Sequence, residues 1–460
     1  MFFVLRLFNI NYPIFDSHHW RQADGYAIAR NFLEVDANIL YPRINHAGEL
    51  SGIMGSEFPI MNYIVFLLYK IFGVHWWQGR LLNLITSSVG CFYFYKIIYK
   101  YINKTLAFNA TIILLTSIWF AHSRKFMPDV FSTSLVIISV YYGISFLKEK
   151  GNFLNLILYT FFLSLGLLSK LPSFVIVAFL TPFIFENSIN IKRKITFISF
   201  SIVSLFPTIW WYFYWAPYLT NTYGFNYFFM GDSISVGYHF LINDWNGLLK
   251  RFYSDAFFFI AFFFYLMGLF LLIYKRNFKL LFIFISASIL QIILMLKGGK
   301  SFVHHSYYII PFVPVMALFS AYGLSIIKSN KFRIILLIAI VIEGILNQQH
   351  DFRKKPNQEY QLELSQITKN FSSPADLIAI NGDTDPTLLY LAHRKGWTLN
   401  SNELKNQTII NDLYFKGCQL MIWDKHRAKP PKKLNHFNMV WNNHHFILFV
   451  SKNKTSHKSN

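Results

Sequence analysis

The ionisable side chains of this sequence that could do chemistry collect in a few short segments, each beside an apolar run. The first is Asp16-Ser17-His18-His19-Trp20-Arg21-Gln22-Ala23-Asp24. Then come Glu57 before Phe58-Pro59, the run Arg124-Lys125-Phe126-Met127-Pro128-Asp129, and Lys170 in Ser169-Lys170-Leu171-Pro172. The last runs from Lys297 through Lys300 to His304-His305-Ser306-Tyr307-Tyr308. Asp16, Asp24, Glu57 and Asp129 are of the type that deprotonates or positions a hydroxyl. Arg124, Lys170 and Lys300, with His305 and Tyr308, are of the type that receives a phosphate. Acids together with imidazoles also form a donor set for a divalent metal, with Glu57 and His304 as its candidates. No HExxH, Walker loop, GxSxG or CxxC is present, so hydrolytic and ATP-driven chemistries have no motif behind them.

Each of these residues also has a structural reading. Asp16 before a helical pattern is a natural N-cap, and Glu57 suits the start of a helix through the macrodipole. Asp129 is expected to cap the following helix while facing a cavity. Paired histidines often only pack at an interface. Lys170 stands in an otherwise uncharged turn and needs an anionic partner, for which a phosphate is one candidate. What favours function is cost: ionisable groups at membrane depth are expensive to keep.

Membrane depth follows from composition. Of 460 residues, 54% are hydrophobic and 14% charged, against about 25% charged in an average soluble domain. Fifty-one Phe and 27 Tyr, with a mean hydropathy of +0.35, exclude an ordinary soluble globule and a disordered chain. Ten segments approach the roughly 20 apolar residues of a spanning helix: 80–99, 105–121, 130–147, 153–169, 172–187, 195–214, 256–274, 280–296, 307–327 and 332–347. The net charge of +21 is spread over alternate loops, at Lys100 and Lys104, Lys148 and Lys150, Lys192 to Lys194, Lys275 to Lys279, and Lys328 to Arg333. By the positive-inside rule these loops are cytoplasmic, and the dispersal excludes a nucleic-acid surface. The loops 122–129, 168–172, 215–255 and 297–306, which hold most of the reactive residues, then face the other side. Cys91 and Cys418 offer neither a disulfide framework nor a metal cluster.

Parity places residues 16–79 outside as well, as a loop with interfacial helices. The segment 57–74 is read as interfacial or re-entrant in preference to a true span. Residues 1–15 are apolar but too short to cross alone, and are expected to be the outer half of a first helix. Residues 348–450 turn polar and carry strand-like runs at Leu377–Ile380, Leu420–Trp423 and Phe446–Val450, with a helix over Pro386–His393. The expected fold class is therefore mainly α: a polytopic bundle of about 10–11 spans over residues 1–347, an extracytoplasmic α/β domain over 348–450, and a disordered tail over 451–460.

Taken in order, several motifs resemble the GT-C superfamily of membrane glycosyltransferases, in its bacterial branch of aminoarabinose transferases and relatives of protein O-mannosyltransferases. They are Asp16; Asp24-Gly25-Tyr26-Ala27-Ile28-Ala29-Arg30-Asn31; Glu57-Phe58-Pro59; Gly79-Arg80-Leu81-Leu82; Arg124 with Met127-Pro128-Asp129; Gly166-Leu167-Leu168-Ser169-Lys170; and His304-His305-Ser306-Tyr307-Tyr308 with Pro311. They cover about the first 330 residues. The resemblance implies a bacterial inner-membrane enzyme with a polyprenyl-phosphate sugar as donor, a lipid, glycan or protein hydroxyl as acceptor, and inversion at the anomeric carbon. It makes Asp16 the base, Glu57 a metal or acceptor contact and Asp129 a second cavity acid. Most relatives carry an acid directly after the first Asp, where this chain has Ser17 and then His18-His19. The competing reading is a transporter or flippase for a lipid-linked or anionic substrate. It predicts ionisable groups at mid-membrane and broken helices in both halves; here they gather at one face, which also leads to the expectation that Asp16, Glu57, Asp129 and His304 or His305 share one outward-opening cavity.

Overall fold

The computed structural model describes residues 1–149, 151–226 and 231–452; Lys150 and the tail from 453 lie outside the described residues. The chain forms two compact units. One comprises Met1–Asn11, Trp76–Trp215 and Phe229–Arg353; the other comprises Tyr12–His75, Ala216–Phe228 and Lys354–Asn460.

The first unit is helical, and all ten apolar segments marked in the sequence are helices within it. Six helices of the described chain are long and apolar enough to cross a membrane, and a pair bent by 105°, Trp245–Ala256 with Phe259–Lys275, adds a seventh if taken as one span. Three shorter apolar helices of this unit, Lys104–Thr116, Phe153–Ser169 and Leu171–Ile184, are the remaining segments. The chain is an integral membrane protein.

Position within the bundle follows from which surface each helix can hide. Pro128–Lys148 and Ser306–Leu324 have 89% and 94% of their apolar windows buried, whereas Phe278–His304 and Asn330–Asp351 have 22%. The outer helices display Ile, Phe and Leu side chains that only lipid would cover. The central helix, Pro128–Lys148, is rich in small and hydroxylated residues, as close helix packing in lipid requires. Ser132 donates to the Gly166 carbonyl at 2.7 Å and Ser139 to the Tyr159 carbonyl at 2.9 Å. A Cβ on Gly166 would stand 2.6 Å from Val136 Cγ2, so this glycine sets the approach of Phe153–Ser169 to the central helix.

The second unit joins an α/β domain to the long loop from residue 12. Its sheet has the order β2-β1-β3-β5-β4, with β1 Leu377–Ile380, β2 Lys395–Thr398, β3 Cys418–Asp424, β4 Phe437–Asn442 and β5 Phe446–Ser451. β1 pairs in parallel with β2 and β3, and β5 runs antiparallel between β3 and β4. The sequence expectation found β1, β3 and β5 and the helix Thr387–Leu391; it passed over β2 and β4. In the loop, His19–Glu34 and Ile60–Phe72 are helices that pack on each other. At 13 residues the second is about 20 Å long, against a hydrocarbon core of about 30 Å.

Loop and domain are tied by specific bonds. The Arg30 guanidinium lies 4.1 Å over the Tyr390 ring and donates to its hydroxyl at 2.8 Å. His393 meets Glu34 at 2.8 Å. Gly48 N–H donates to the Gly396 carbonyl, and Gly396 N–H to the Asn45 carbonyl, so residues 45–48 run along the edge of β2. Gly48 has φ +59°, and a Cβ there would stand 2.4 Å from Trp397 Nε1, so no larger residue fits.

Candidate active site

In the membrane unit, Asp129 is the second residue of the central helix. Met127 is its N-cap and no side chain caps it there, so the expectation that Asp129 caps this helix is corrected. Its carboxylate instead meets Lys170 Nζ at 2.9 Å, and both side chains are buried. Lys170 thus has an anionic partner inside the protein. It is held where Phe153–Ser169 ends and a tighter helical segment, Leu171–Leu180, begins. There its carbonyl accepts from Ser132 at 3.0 Å and Ser173 at 2.8 Å.

The ammonium also lies 5.0 Å from the Tyr307 ring and 5.5 Å from the Tyr308 ring. Those rings stack on each other, and His305 stacks on Tyr307 at 5.2 Å. A desolvated cation against π faces gains on the order of 2 kcal/mol. Asp129, Lys170, His305 and Tyr308 are therefore brought together. His304 and Lys300 are exposed.

Arg124 is buried with its guanidinium 4.4 Å over Phe352. Its turn is anchored by residues that sequence reading missed. Asn83 donates to the carbonyls of Lys125 at 2.7 Å and His122 at 3.1 Å. Lys125 forms a fully enclosed ion pair with Asp351 at 3.0 Å. Gln348 donates to Ser117 and receives from the Ala121 N–H. Arg6, in the short helix Phe2–Leu7, is also buried and donates to Ser123 at 2.6 Å. The only sequence signal for Lys125 and Arg6 was a charge beside apolar residues, and Asp351, in a polar stretch, gave none.

In the other unit, His18 takes a left-handed backbone (φ 61°) as the N-cap of His19–Glu34, and no side chain caps the helix there. Asp16 is buried and accepts from Gln22 Nε2 at 2.7 Å. Asp24, also buried, meets His46 Nδ1 at 3.2 Å. Glu57 pairs with Arg21, and the first turn of Ile60–Phe72 contains no acid. His19 Nε2 lies 3.0 Å from Asp385, and Arg427 stands 3.6 Å from the same oxygen. Burial alone would lower the His19 pKa, but the hydrogen bond and charge of Asp385 outweigh it and raise it. Burial likewise opposes ionisation of Asp385, yet His19 carries its pKa below the usual value.

The donor set does not fit a metal centre. Among the described residues no group of three or more His, Cys, Asp or Glu is arranged to hold an ion, and Glu57 is engaged by Arg21.

The model of the dolichyl-phosphate-mannose-protein mannosyltransferase family matches residues 56–212. Across the whole chain the fold is similar to that of ArnT from Cupriavidus metallidurans bound to undecaprenyl phosphate, with a TM-score of 0.60, 98% of this chain and 97% of that one covered, and 11% identity. The chain has the GT-C fold. The GT-C likeness extends to the oligosaccharyltransferase AglB from Archaeoglobus fulgidus in complex with an inhibitory peptide and a dolichol-phosphate, with a TM-score of 0.56, 13% identity, and 92% of this chain and 69% of that one covered. A structure of the A. fulgidus oligosaccharyltransferase with Zn and sulfate gives a TM-score of 0.58 at 13% identity, covering 98% of this chain and 73% of that one. No curated protein sequence matches the chain.

Proposed function

We propose that this GT-C chain is a glycosyltransferase that moves a sugar from a polyprenyl-phosphate donor to a hydroxyl acceptor on the extracytoplasmic side of the membrane, with inversion. The observation that carries the reading is end-to-end likeness to ArnT, whose structure holds undecaprenyl phosphate. The buried cation–aromatic cluster of Lys170, Tyr307 and Tyr308 supports it, because an anion binds strongly to a cation already removed from water.

The roles divide by chemistry. As the anomeric C–O bond to the donor phosphate breaks, polyprenyl phosphate leaves as a stable anion, so no general acid is required. Lys170 and Arg124, with His305 and Tyr308 beside them and Lys300 at the surface, stabilise the departing charge. Asp129 keeps the Lys170 ammonium in place until the donor phosphate competes for it. Asp16 is the base: its carboxylate, oriented by the Gln22 amide, takes the acceptor proton as the hydroxyl attacks the anomeric carbon. Asp24 and Glu57, paired with His46 and Arg21, hold the acceptor side in shape. No step is routed through a metal.

The test is transfer itself. Membranes containing the protein are incubated with radiolabelled polyprenyl-phosphate sugars, and loss of lipid-linked label is followed. Expected is loss with one donor, yielding a product of inverted anomeric configuration. A folded protein that turns over none of the donors defeats the proposal. Sidedness is tested separately by reporter fusions at Lys194 and at residue 460, which should report opposite compartments.

A further inference from the structure

Three histidines meet on the α/β domain, beside Arg427 and Asp424. His426 follows β3, and His444 and His445 form the turn between β4 and β5. His426 Nε2 lies 2.8 Å from His445 Nδ1, and the two rings are 29° from parallel. Both backbones are fixed: His426 N–H donates to Asp424 at 2.9 Å, and His445 N–H to Asn443 at 2.9 Å. Lys425 N–H donates to the His445 carbonyl at 2.9 Å, tying the two turns together. Tyr360 packs against both rings, stacked 4.8 Å from His445 and tilted 4.5 Å from His426, and its hydroxyl donates to Asp424 at 2.8 Å. His426 and His444 are exposed, and the His444 ring is 5.0 Å from that of His445.

Two imidazoles can share this short separation through one proton only while at least one of them is neutral. A metal ion can replace that proton, and the spacing selects its class. Two nitrogens bound at about 2.0 Å and 90° to each other stand about 2.8 Å apart; at a tetrahedral angle they stand about 3.3 Å apart. The observed 2.8 Å matches the first arrangement. Square-planar or tetragonal coordination by nitrogen is the preference of Cu(II) and Ni(II), and Cu(II) is the tightest binder of the first-row divalent ions. Binding asks that each ring tilt its lone pair off the N–N line and that the ring donating the hydrogen bond move its proton to its other nitrogen, and His426 is exposed.

We propose that His426 and His445 form a two-histidine site for a square-planar divalent ion, Cu(II) before Ni(II), with water completing the coordination and the ion clamping the turn after β3 to the β4–β5 turn. The site is independent of the glycosyltransferase reading and needs no occupant at the residues assigned to it.

The experiment uses the full-length protein in detergent, purified with a tag free of histidine and titrated with CuCl2, NiCl2 or ZnCl2. Electron paramagnetic resonance of the copper-loaded protein should show a tetragonal spectrum with splitting from two nitrogens. His426→Ala and His445→Ala should each weaken that copper site at least about tenfold, a bis-ligand site having lost half its donors. His444→Ala should change it by less than about twofold. Thermal unfolding without metal should be the same in all variants, so a lost site cannot be mistaken for a lost fold. Copper binding unchanged in both single variants, tighter binding of Zn(II) than Cu(II), or the absence of a two-nitrogen signal would each overturn the proposal.

Discussion

The two units handle buried charge differently. In the membrane unit each enclosed acid faces a permanent cation, Asp129 against Lys170 and Asp351 against Lys125. In the other unit acids meet histidine: Asp24 against His46 and Asp385 against His19. In the second unit burial would lower the His19 pKa, but the hydrogen bond and charge of Asp385 raise it on balance, so that pair responds to pH. A group at membrane depth cannot be allowed to neutralise and leave its partner unpaired, whereas a solvated loop can exchange partners at small cost.

The sharpest break of this comparison is Asp16→Asn. The amide is nearly isosteric and keeps the Gln22 contact on the oxygen side, so expression and unfolding should match the parent. Transfer should fall about 10²–10⁴-fold. If sugar transfer is normal with donor in excess, Asp16 is not the base, and Asp129 and then Asp24 are next to be tested.

Next in size is Lys170→Met, which leaves the Asp129 carboxylate buried against apolar atoms and should destabilise the bundle by about 3–5 kcal/mol in denaturant unfolding. Adding Asp129→Leu should recover most of that loss. A double variant as unstable as the single one would show that the pair is not the source. The same design at Lys125 and Asp351 asks whether the Arg124 turn depends on the second pair.

A smaller effect is expected at Gly166→Ala. Its Cβ would stand 2.6 Å from Val136 Cγ2 and 3.2 Å from the Ser132 carbonyl. Overpacking of this kind costs about 1–3 kcal/mol. Because the shift separates Asp129 from Lys170, the loss should be smaller when Lys170→Met is already present.

The smallest is a pH effect at His19 and Asp385. The His19 pKa is raised, so its contribution is complete below about 6.5 and is lost as pH rises through the higher folded value. The Asp385 pKa is lowered, so its contribution is present above about 3.9 and is lost as pH falls through the lower folded value. Both charges therefore coexist between those limits, and for a pair this exposed the effect is at most about 1 kcal/mol. His19→Gln should flatten the dependence of the unfolding midpoint on pH between about 6 and 9. An unchanged slope would show that this pair does not link loop and domain.

The spans were legible because a run of about twenty apolar residues, repeated along one chain, has no place to be buried except in lipid. β2 and β4 were not legible. Lys395-Gly396-Trp397-Thr398 and Phe437-Asn438-Met439-Val440-Trp441-Asn442 carry glycine, lysine and asparagine, and become strands through their neighbours and not through their own pattern. Asp129 and Lys170 were each visible as charges out of place, but their pairing was not. Lys125 with Asp351, and Arg30 with Tyr390, were hidden for a related reason: single contacts across hundreds of residues leave no periodicity to read. Small residues at Gly166 and Ser132 stood in the sequence, yet only the packing shows what they bring together.

The ties between loop and domain also set an order of assembly. Glu34 and His393 are separated by 359 residues. At about 5–20 residues per second, a ribosome needs about 20–70 s to make that stretch. Throughout this interval the loop from residue 12 exists without β2, whose edge residues 45–48 will line, and the helix His19–Glu34 exists without Tyr390. The unit that carries Asp16 is therefore completed only after the last membrane helix has been synthesised, and a nascent chain stalled before residue 396 should hold this loop in a protease-sensitive form.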